Sequence, residues 1–272
     1  MPKPKHIAAL AGGVIFFLLI VLIAVKLGGS HGKSTEETDA QISAGVAYLQ
    51  GLEQQNPDQV DQILKQQRLQ KLQDMRDERL RQLESGEISV WSLFEDYVLC
   101  GDSRAEGFSF YGFLPEERVI AETGANLEHL AQHVPDIAAL NPSNIFLCYG
   151  LNDIGMYATV DDFSARFTEI LNDLHTRLPD AVCYISSIIP AYAGSVTMAD
   201  IAPYNTAMSA ICDMLPYCTY VDNSETASKY TDLWEPDQIH VQRDFYPHWA
   251  TDLIMAVYNA GLEEDQSSST AN

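Results

Sequence analysis

The stretch Tyr97-Val98-Leu99-Cys100-Gly101-Asp102-Ser103-Arg104 decides how the chain folds. Its first four residues form a short apolar run that predicts a buried strand, and the residues after it predict a turn into a helix. A serine at the carboxyl end of such a strand lies where an open α/β sheet binds its ligand. Backbone N–H groups and the helix dipole stabilise negative charge there. Gly-Asp-Ser alone also fits an ordinary turn, so its meaning depends on the residues downstream.

From Trp91 onward, strand-like runs alternate with helical stretches. The predicted strands are residues 97–100, 118–121, 144–149, 181–187 and 218–221, and the predicted helices are residues 127–139, 160–178, 202–214 and 246–260. Strands separated by helices of this length are typical of βαβ units. The sequence therefore predicts an α/β domain, a three-layer α/β/α sandwich with a mostly parallel five-stranded sheet, over residues 91–262.

Residues suited to a catalytic site follow four of the five predicted strands. Ser103 follows the first strand, Gly124 the second and Asn152 the third, while Asp237 and His240 come after the fifth. The carboxyl ends of parallel strands meet at one edge of the sheet, so these residues are expected to converge.

Acyl transfer requires this combination of residue types. A serine hydroxyl is a weak nucleophile until an imidazole accepts its proton, and a carboxylate fixes the tautomer of that imidazole. We therefore predict Ser103 as nucleophile, His240 as base and Asp237 as its partner. The Ser103 N–H, the Gly124 N–H and the Asn152 amide are predicted to donate to the oxyanion, and a glycine at 124 would let the backbone approach the substrate closely.

The arrangement resembles the SGNH (GDSL-type) hydrolase family, in which Ser, Gly, Asn and His come from four short blocks in this order. Gly101-Asp102-Ser103, Gly124, Gly150-Leu151-Asn152-Asp153 and Asp237-Gln238-Ile239-His240 match those blocks, and the resemblance spans about residues 96–260. It implies a flavodoxin-like sandwich and ester hydrolysis through an acyl-serine, without a metal or an organic cofactor.

The chain departs from the family pattern at positions that bear on specificity. Arg104 stands where many members have leucine. Val241-Gln242 follow the motif histidine, His240, in place of the common Pro or Leu and Thr. Arg104 either binds a substrate carboxylate or pairs with an acidic residue of the chain. Asp153 and Trp234 are further candidates for substrate binding, although Asp153 also fits a role in fixing its loop. Aromatic residues suited to a sugar site, or to the core, are Tyr111, Tyr149, Tyr157, Tyr192 and Trp234.

Alternatives to this assignment lie within the same sequence. His248, flanked by aromatic residues, is a rival to His240, and Asp102 is expected to hold the nucleophile turn rather than act as a base. Cys212 and Cys218 are near enough in sequence to pair, or to stay free. The five cysteines contain no CxxC pair that would indicate structural zinc.

Charge is unevenly distributed along the 272 residues, whose net charge is −22. Residues 1–90 carry 10 basic and 11 acidic side chains, net −1, which leaves 6 basic and 27 acidic side chains, net −21, for residues 91–272. So acidic a domain is expected to repel nucleic acid and anionic lipid, and it favours neutral or cationic substrates.

The N-terminal segment predicts a membrane anchor. Residues 7–25 form an uncharged apolar run of 19 residues, which as a helix reaches roughly 28 Å, enough for the ~30 Å core of a bilayer. A cleaved signal peptide is the rival interpretation, but its apolar region is usually shorter. Lys3 and Lys5 favour a cytoplasmic N-terminus and an exported body. We assign residues 1–27 to the anchor.

Residues 28–90 are predicted to form a linker and a helical stalk or hairpin. Apolar residues recur at helical spacing, and Pro57 suits the first turn of a helix. Packing of this segment on the domain as ordinary scaffold is an alternative. The polar residues 263–272 are predicted to be a disordered tail.

Together these features predict an exported, membrane-anchored serine esterase that removes small acyl groups, such as acetyl, from extracellular carbohydrate. An O-acyltransferase that works with a membrane acyl carrier to acylate a cell-surface glycan is the first alternative. A non-catalytic anchored binding protein is the second, and the complete Ser103, Asn152, Asp237 and His240 set argues against it. The predicted partners are an acylated carbohydrate or other small ester, the membrane and, for a transferase, a membrane acyltransferase.

Overall fold

The computed structural model describes Ile42, Ser43, Val46 and residues 57–192 and 196–270 of the chain. It divides the chain into two units, Met1–Gln62 and Ile63–Asn272. In the first, Ile42, Ser43 and Val46 are helical and helix α1 (Pro57–Glu84) begins at the predicted proline. The sheet and the helices packed on it lie in the second.

Five strands form a single parallel sheet, as predicted. They are β1 (Tyr97–Gly101), β2 (Val119–Ala121), β3 (Asn144–Cys148), β4 (Val182–Ser186) and β5 (Cys218–Val221), in the spatial order β2-β1-β3-β4-β5. In the register, Gly101 is paired with Ala121 on one side and with Cys148 on the other. Three strands therefore end level with one another, directly before the segments that hold Ser103, Gly124 and Asn152.

Six helices follow α1 in the described residues. They are α2 (Ser103–Phe110), α3 (Leu127–Leu140), α4 (Val160–Arg177), α5 (Met198–Met214), α6 (Ser224–Lys229) and α7 (Tyr246–Thr270). Helix α7 reaches Thr270 and so runs into the segment predicted as a disordered tail. The helix formers Leu262, Glu263 and Glu264 continue it, although the serines beyond them favour helix weakly.

Two hydrophobic cores cover the two faces of the sheet and confirm the three-layer sandwich. Val98 and Cys100 of β1 face the core that α3, α4 and α5 complete, with Leu130, Phe163 and Ile201 among its buried members. Tyr97 and Leu99 face the opposite core, to which α2 and α7 contribute. Burial on both faces explains why the strands are continuous apolar runs.

The predicted membrane span, residues 7–25, lies outside the described residues. Within the described part of the chain, no helix combines the length and the apolar character that crossing a bilayer requires.

Candidate active site

Ser103 begins helix α2 directly after strand β1. Gly101 ends the strand at a place without room for a side chain, since a Cβ there would lie 2.5 Å from the Cβ of Ala105 and 2.6 Å from the carbonyl oxygen of Cys148. Asp102 caps the helix, because its Oδ1 accepts a hydrogen bond from the Arg104 N–H at 2.9 Å. The turn therefore places the Ser103 hydroxyl at the carboxyl edge of the sheet, with Asp102 in the structural role expected for it.

A hydrogen-bonded chain joins Ser103 to His240 and Asp237. Ser103 Oγ lies 2.9 Å from His240 Nε2, and His240 Nδ1 lies 2.6 Å from Asp237 Oδ2. The carboxylate accepts only, so Nδ1 carries the proton and Nε2 is left to accept the Ser103 proton. The structure thus brings together three side chains that the sequence separates by up to 137 positions.

The turn that carries His240 is held by the carboxylate of Asp237. Its Oδ1 accepts hydrogen bonds from the Ile239 N–H at 2.9 Å and the His240 N–H at 3.0 Å. These bonds, led by the one from the His240 ring, lower the pKa of Asp237 to about 2. Asp237 is therefore ionised at every pH at which the imidazole can act as a base.

The His240–Asp237 pair is open to solvent. The two side chains are 43% and 49% exposed. A base at the surface of this kind is accessible to a bulky alcohol or a polymer as well as to water.

The loops that carry Gly124 and Asn152 are bound to each other. Asn152 Nδ2 donates a hydrogen bond to the Ala125 carbonyl at 2.9 Å, and the second hydrogen of that amide remains a possible donor. Gly124 has a φ of +82° and open space where its Cβ would lie. The local reason for glycine is thus its left-handed backbone, in addition to the close substrate approach expected from the sequence.

Asp153 makes a second link between these loops. It is fully buried, and its Oδ1 accepts a hydrogen bond from the Leu127 N–H at 3.0 Å, while Oδ2 has no hydrogen-bond partner among the described residues. Burial raises the pKa of this carboxyl to about 6. Its burial and this hydrogen bond favour the loop-fixing role over the substrate contact that was its alternative.

The other two predicted substrate residues are also interior. Arg104 is 5% exposed, donates from Nη1 to the Ile189 carbonyl at 2.6 Å and lies 3.5 Å from Asp102. Of the two partners predicted for Arg104, a substrate carboxylate and an acidic residue of the chain, the structure shows the acidic residue, Asp102. Trp234 is 4% exposed, and its indole N–H donates to the Pro190 carbonyl at 3.2 Å. Both side chains are thus buried and held by hydrogen bonds within the chain.

The remaining candidates lie elsewhere. His248 stacks on Tyr230 with ring centroids 3.7 Å apart, whereas His240 is the histidine that reaches Ser103. Cys212 and Cys218 are free thiols, as are the other three cysteines, so the predicted alternative of a disulfide is wrong.

One residue that supports the site was not predicted. Asn126, two residues after Gly124, caps α3 by accepting hydrogen bonds from the Glu128 and His129 N–H groups. An asparagine just before an apolar helical stretch is a typical N-cap, so the signal was present in the sequence.

Comparison with known proteins gives one match at the level of a family. Residues 100–246, just over half of the chain, match the GDSL-like lipase/acylhydrolase family. No curated protein sequence matches the chain.

Solved structures are similar to the chain at low sequence identity. A GDSL-like lipase from Parabacteroides merdae is 14% identical over 62% of this chain and 97% of its own, with a TM-score of 0.50, which shows a shared fold. The C-terminal catalytic domain of peptidoglycan O-acetyltransferase A from Streptococcus pneumoniae is 16% identical over 64% and 95%, with a TM-score of 0.45. A family 3 carbohydrate esterase from Clostridium thermocellum is 14% identical over 63% and 96%, with a TM-score of 0.47.

Proposed function

The chain belongs to the GDSL-like lipase/acylhydrolase family, and from this we propose that it is an exported, membrane-anchored serine esterase that removes small acyl groups, such as acetyl, from extracellular carbohydrate. The hydrogen-bonded chain from Ser103 through His240 to Asp237 is the observation that carries the esterase activity. The N-terminal apolar run and the lysines before it support export and anchoring.

In the proposed mechanism, His240 Nε2 takes the proton of Ser103 as Oγ attacks the ester carbonyl. The oxyanion receives hydrogen bonds from the N–H groups of Ser103 and Gly124 and from the Asn152 amide. Collapse of the tetrahedral intermediate breaks the bond to the alcohol oxygen, which takes the proton from His240 and leaves. Water then attacks the acyl-serine with His240 again as base, releasing the carboxylic acid and regenerating Ser103.

The exposure of the site favours water as the acceptor. His240 and Asp237 are nearly half exposed, so water reaches the acyl-serine readily. A transferase has to hold water away from the same intermediate while a sugar hydroxyl attacks, and the openness of this pair therefore favours hydrolysis over transfer.

The experiment is a measurement of ester hydrolysis by the purified full-length protein in mild detergent. We expect cleavage of p-nitrophenyl acetate to exceed that of p-nitrophenyl palmitate, and to fall to background in Ser103→Ala and His240→Ala. His248→Ala is the matched control and is expected to stay active, because its ring stacks on Tyr230.

Two results would contradict the proposal. A preference for the palmitate ester would exclude a small acyl group. If acetate is released much more slowly than the acetyl group is transferred to an added glycan, the protein is an acyltransferase rather than an esterase.

A further inference from the structure

Tyr192 is an exposed aromatic residue beside the turn that carries His240. Its backbone N–H donates a hydrogen bond to the carbonyl of Gln238, within that turn, at 2.7 Å. Its side chain is 49% exposed, whereas Tyr149 and Trp234, two other aromatic residues predicted for a sugar site, are buried. An exposed ring on a segment that is hydrogen-bonded to the turn of the catalytic base is a candidate for substrate contact.

The segment that carries this ring, residues 188–192, is held along its length although it is neither helix nor strand. We call it the 188–192 strap. Asn205 accepts from the Ile188 N–H at 2.8 Å and donates to the Ile188 carbonyl at 3.4 Å. The next two carbonyls accept hydrogen bonds from side chains, that of Ile189 from Arg104 and that of Pro190 from Trp234.

These bonds explain what two buried residues do for the site. Arg104 follows Ser103 directly, so its bond to Ile189 ties the strap to the nucleophile turn. Trp234 fixes Pro190, and its ring contacts Tyr192 with centroids 5.3 Å apart and planes at 60°. The Tyr192 ring is thus exposed and already packed on a buried indole before substrate arrives, which lowers the entropy cost of binding.

The position of the strap identifies the half of the substrate that it faces. His240 returns its proton to the leaving alcohol oxygen, so the alcohol half of the ester lies on the side of His240. Two of the three predicted oxyanion donors, Gly124 and Asn152, belong to the loops after β2 and β3, and the third is the N–H of the nucleophile itself. The strap is bonded to the His240 turn, and it therefore borders the alcohol rather than the carbonyl oxygen.

We propose that Tyr192 binds the alcohol half of the ester by stacking on the apolar face of a sugar ring, with Arg104 and Trp234 as positioning residues for it. A tyrosine suits this ligand because it offers a rigid flat apolar surface with a polar edge. The inference rests on the proposed function and deepens it, since it assigns recognition of the carbohydrate to a particular residue.

The test compares two acetate esters that differ in the alcohol, glucose pentaacetate and ethyl acetate, by acetate release from the full-length protein in mild detergent. We expect Tyr192→Ala to lower the ratio of their kcat/KM values, sugar ester over ethyl ester, about tenfold, chiefly through KM for the sugar ester. Tyr192→Phe is expected to retain most of the ratio. Phe110→Ala is the matched control, because Phe110 is 79% exposed at the end of α2 remote from Ser103.

Trp234→Phe tests the positioning role. It removes the hydrogen bond to Pro190 and keeps an aromatic ring, so we expect a smaller fall of the same ratio. In the Tyr192→Ala background the same change is expected to have no further effect on the ratio, since it acts through Tyr192. A ratio unchanged in Tyr192→Ala, or additive effects of the two changes, would overturn the inference.

A binding measurement separates this inference from the proposed function. If the wild-type protein hydrolyses neither ester, the proposed function fails. Calorimetric titration of Ser103→Ala with chitotetraose then tests whether Tyr192 binds a sugar. Binding that Tyr192→Ala weakens about tenfold would support the role of Tyr192. Binding unaffected by Tyr192→Ala, or no binding at all, would overturn it.

Discussion

Asp153 is a single buried carboxyl whose ionisation acts against folding. Burial raises its pKa from an ordinary value of 3.8 to about 6. Between these two values the folded protein binds more protons than the unfolded chain, so the contribution of Asp153 to stability falls as pH rises through this window. We expect Asp153→Asn, which retains the acceptor for the Leu127 N–H, to lose less stability between pH 4 and pH 6.5 than the wild type does, as measured by urea unfolding across that range.

Asp180→Asn is the control for this prediction, because Asp180 is exposed. Its stability profile is expected to follow that of the wild type. Burial also raises the pKa of Asp252 to about 6, so Asp252 likewise makes stability fall as pH rises. Part of the pH dependence of stability therefore remains in both variants. Parallel profiles for wild type and Asp153→Asn would show that Asp153 is not the group that titrates.

Asp237→Asn tests the partner of the imidazole. An amide oxygen accepts more weakly than a carboxylate, so it stabilises the imidazolium less and selects the tautomer less strongly. We expect kcat/KM for p-nitrophenyl acetate to fall by at least about 10²-fold, and by less than the about 10⁴-fold known for a buried triad aspartate, because Asp237 is half exposed. Retention of more than half of the wild-type kcat/KM would remove Asp237 from the mechanism.

At the scale of elements, the contact between α2 and α7 passes through Gly107. A Cβ on Gly107 would lie 1.8 Å from the hydroxyl oxygen of Tyr246, which donates a hydrogen bond to the Arg104 carbonyl. In an exposed helix Gly→Ala stabilises by about 1 kcal/mol, but here overpacking costs roughly 1–3 kcal/mol. We expect Gly107→Ala to lower the free energy of unfolding in urea, and an increase would show that α7 can shift to make room.

The strands could be predicted because their signal is local. The run before Gly101 is apolar on both faces of the sheet, and the residues directly after β1, β2 and β3 carry three of the four motif blocks. For Arg104 and Trp234 the sequence left a substrate role and an internal role open, because their hydrogen-bond partners, the Ile189 and Pro190 carbonyls, lie 85 and 44 positions away. Nothing in the neighbouring residues indicates that these long side chains turn inward, and the role of the strap therefore emerges only from the fold.

At the scale of the whole molecule, a net charge of −22 opposes compactness. The Debye length shortens from about 30 Å at 0.01 M salt to about 8 Å at 0.15 M, so salt screens most of this repulsion. We expect the melting temperature, followed by circular dichroism at pH 7, to rise by several degrees between these NaCl concentrations. At a pH of about 4.5, where many carboxyls are protonated, the rise is expected to shrink, and an equal rise at both pH values would assign it to another cause.

The distance along the chain between Ser103 and His240 also orders events in time. A ribosome adds about 5–20 residues per second, so the 137 positions between nucleophile and base take roughly 7–27 s to synthesise. The strands around Ser103 are complete once Cys148 has emerged, long before the imidazole exists. The nascent chain thus carries an inert serine while these 137 positions are added, and the base that activates it exists only after the segment with His240 has been made.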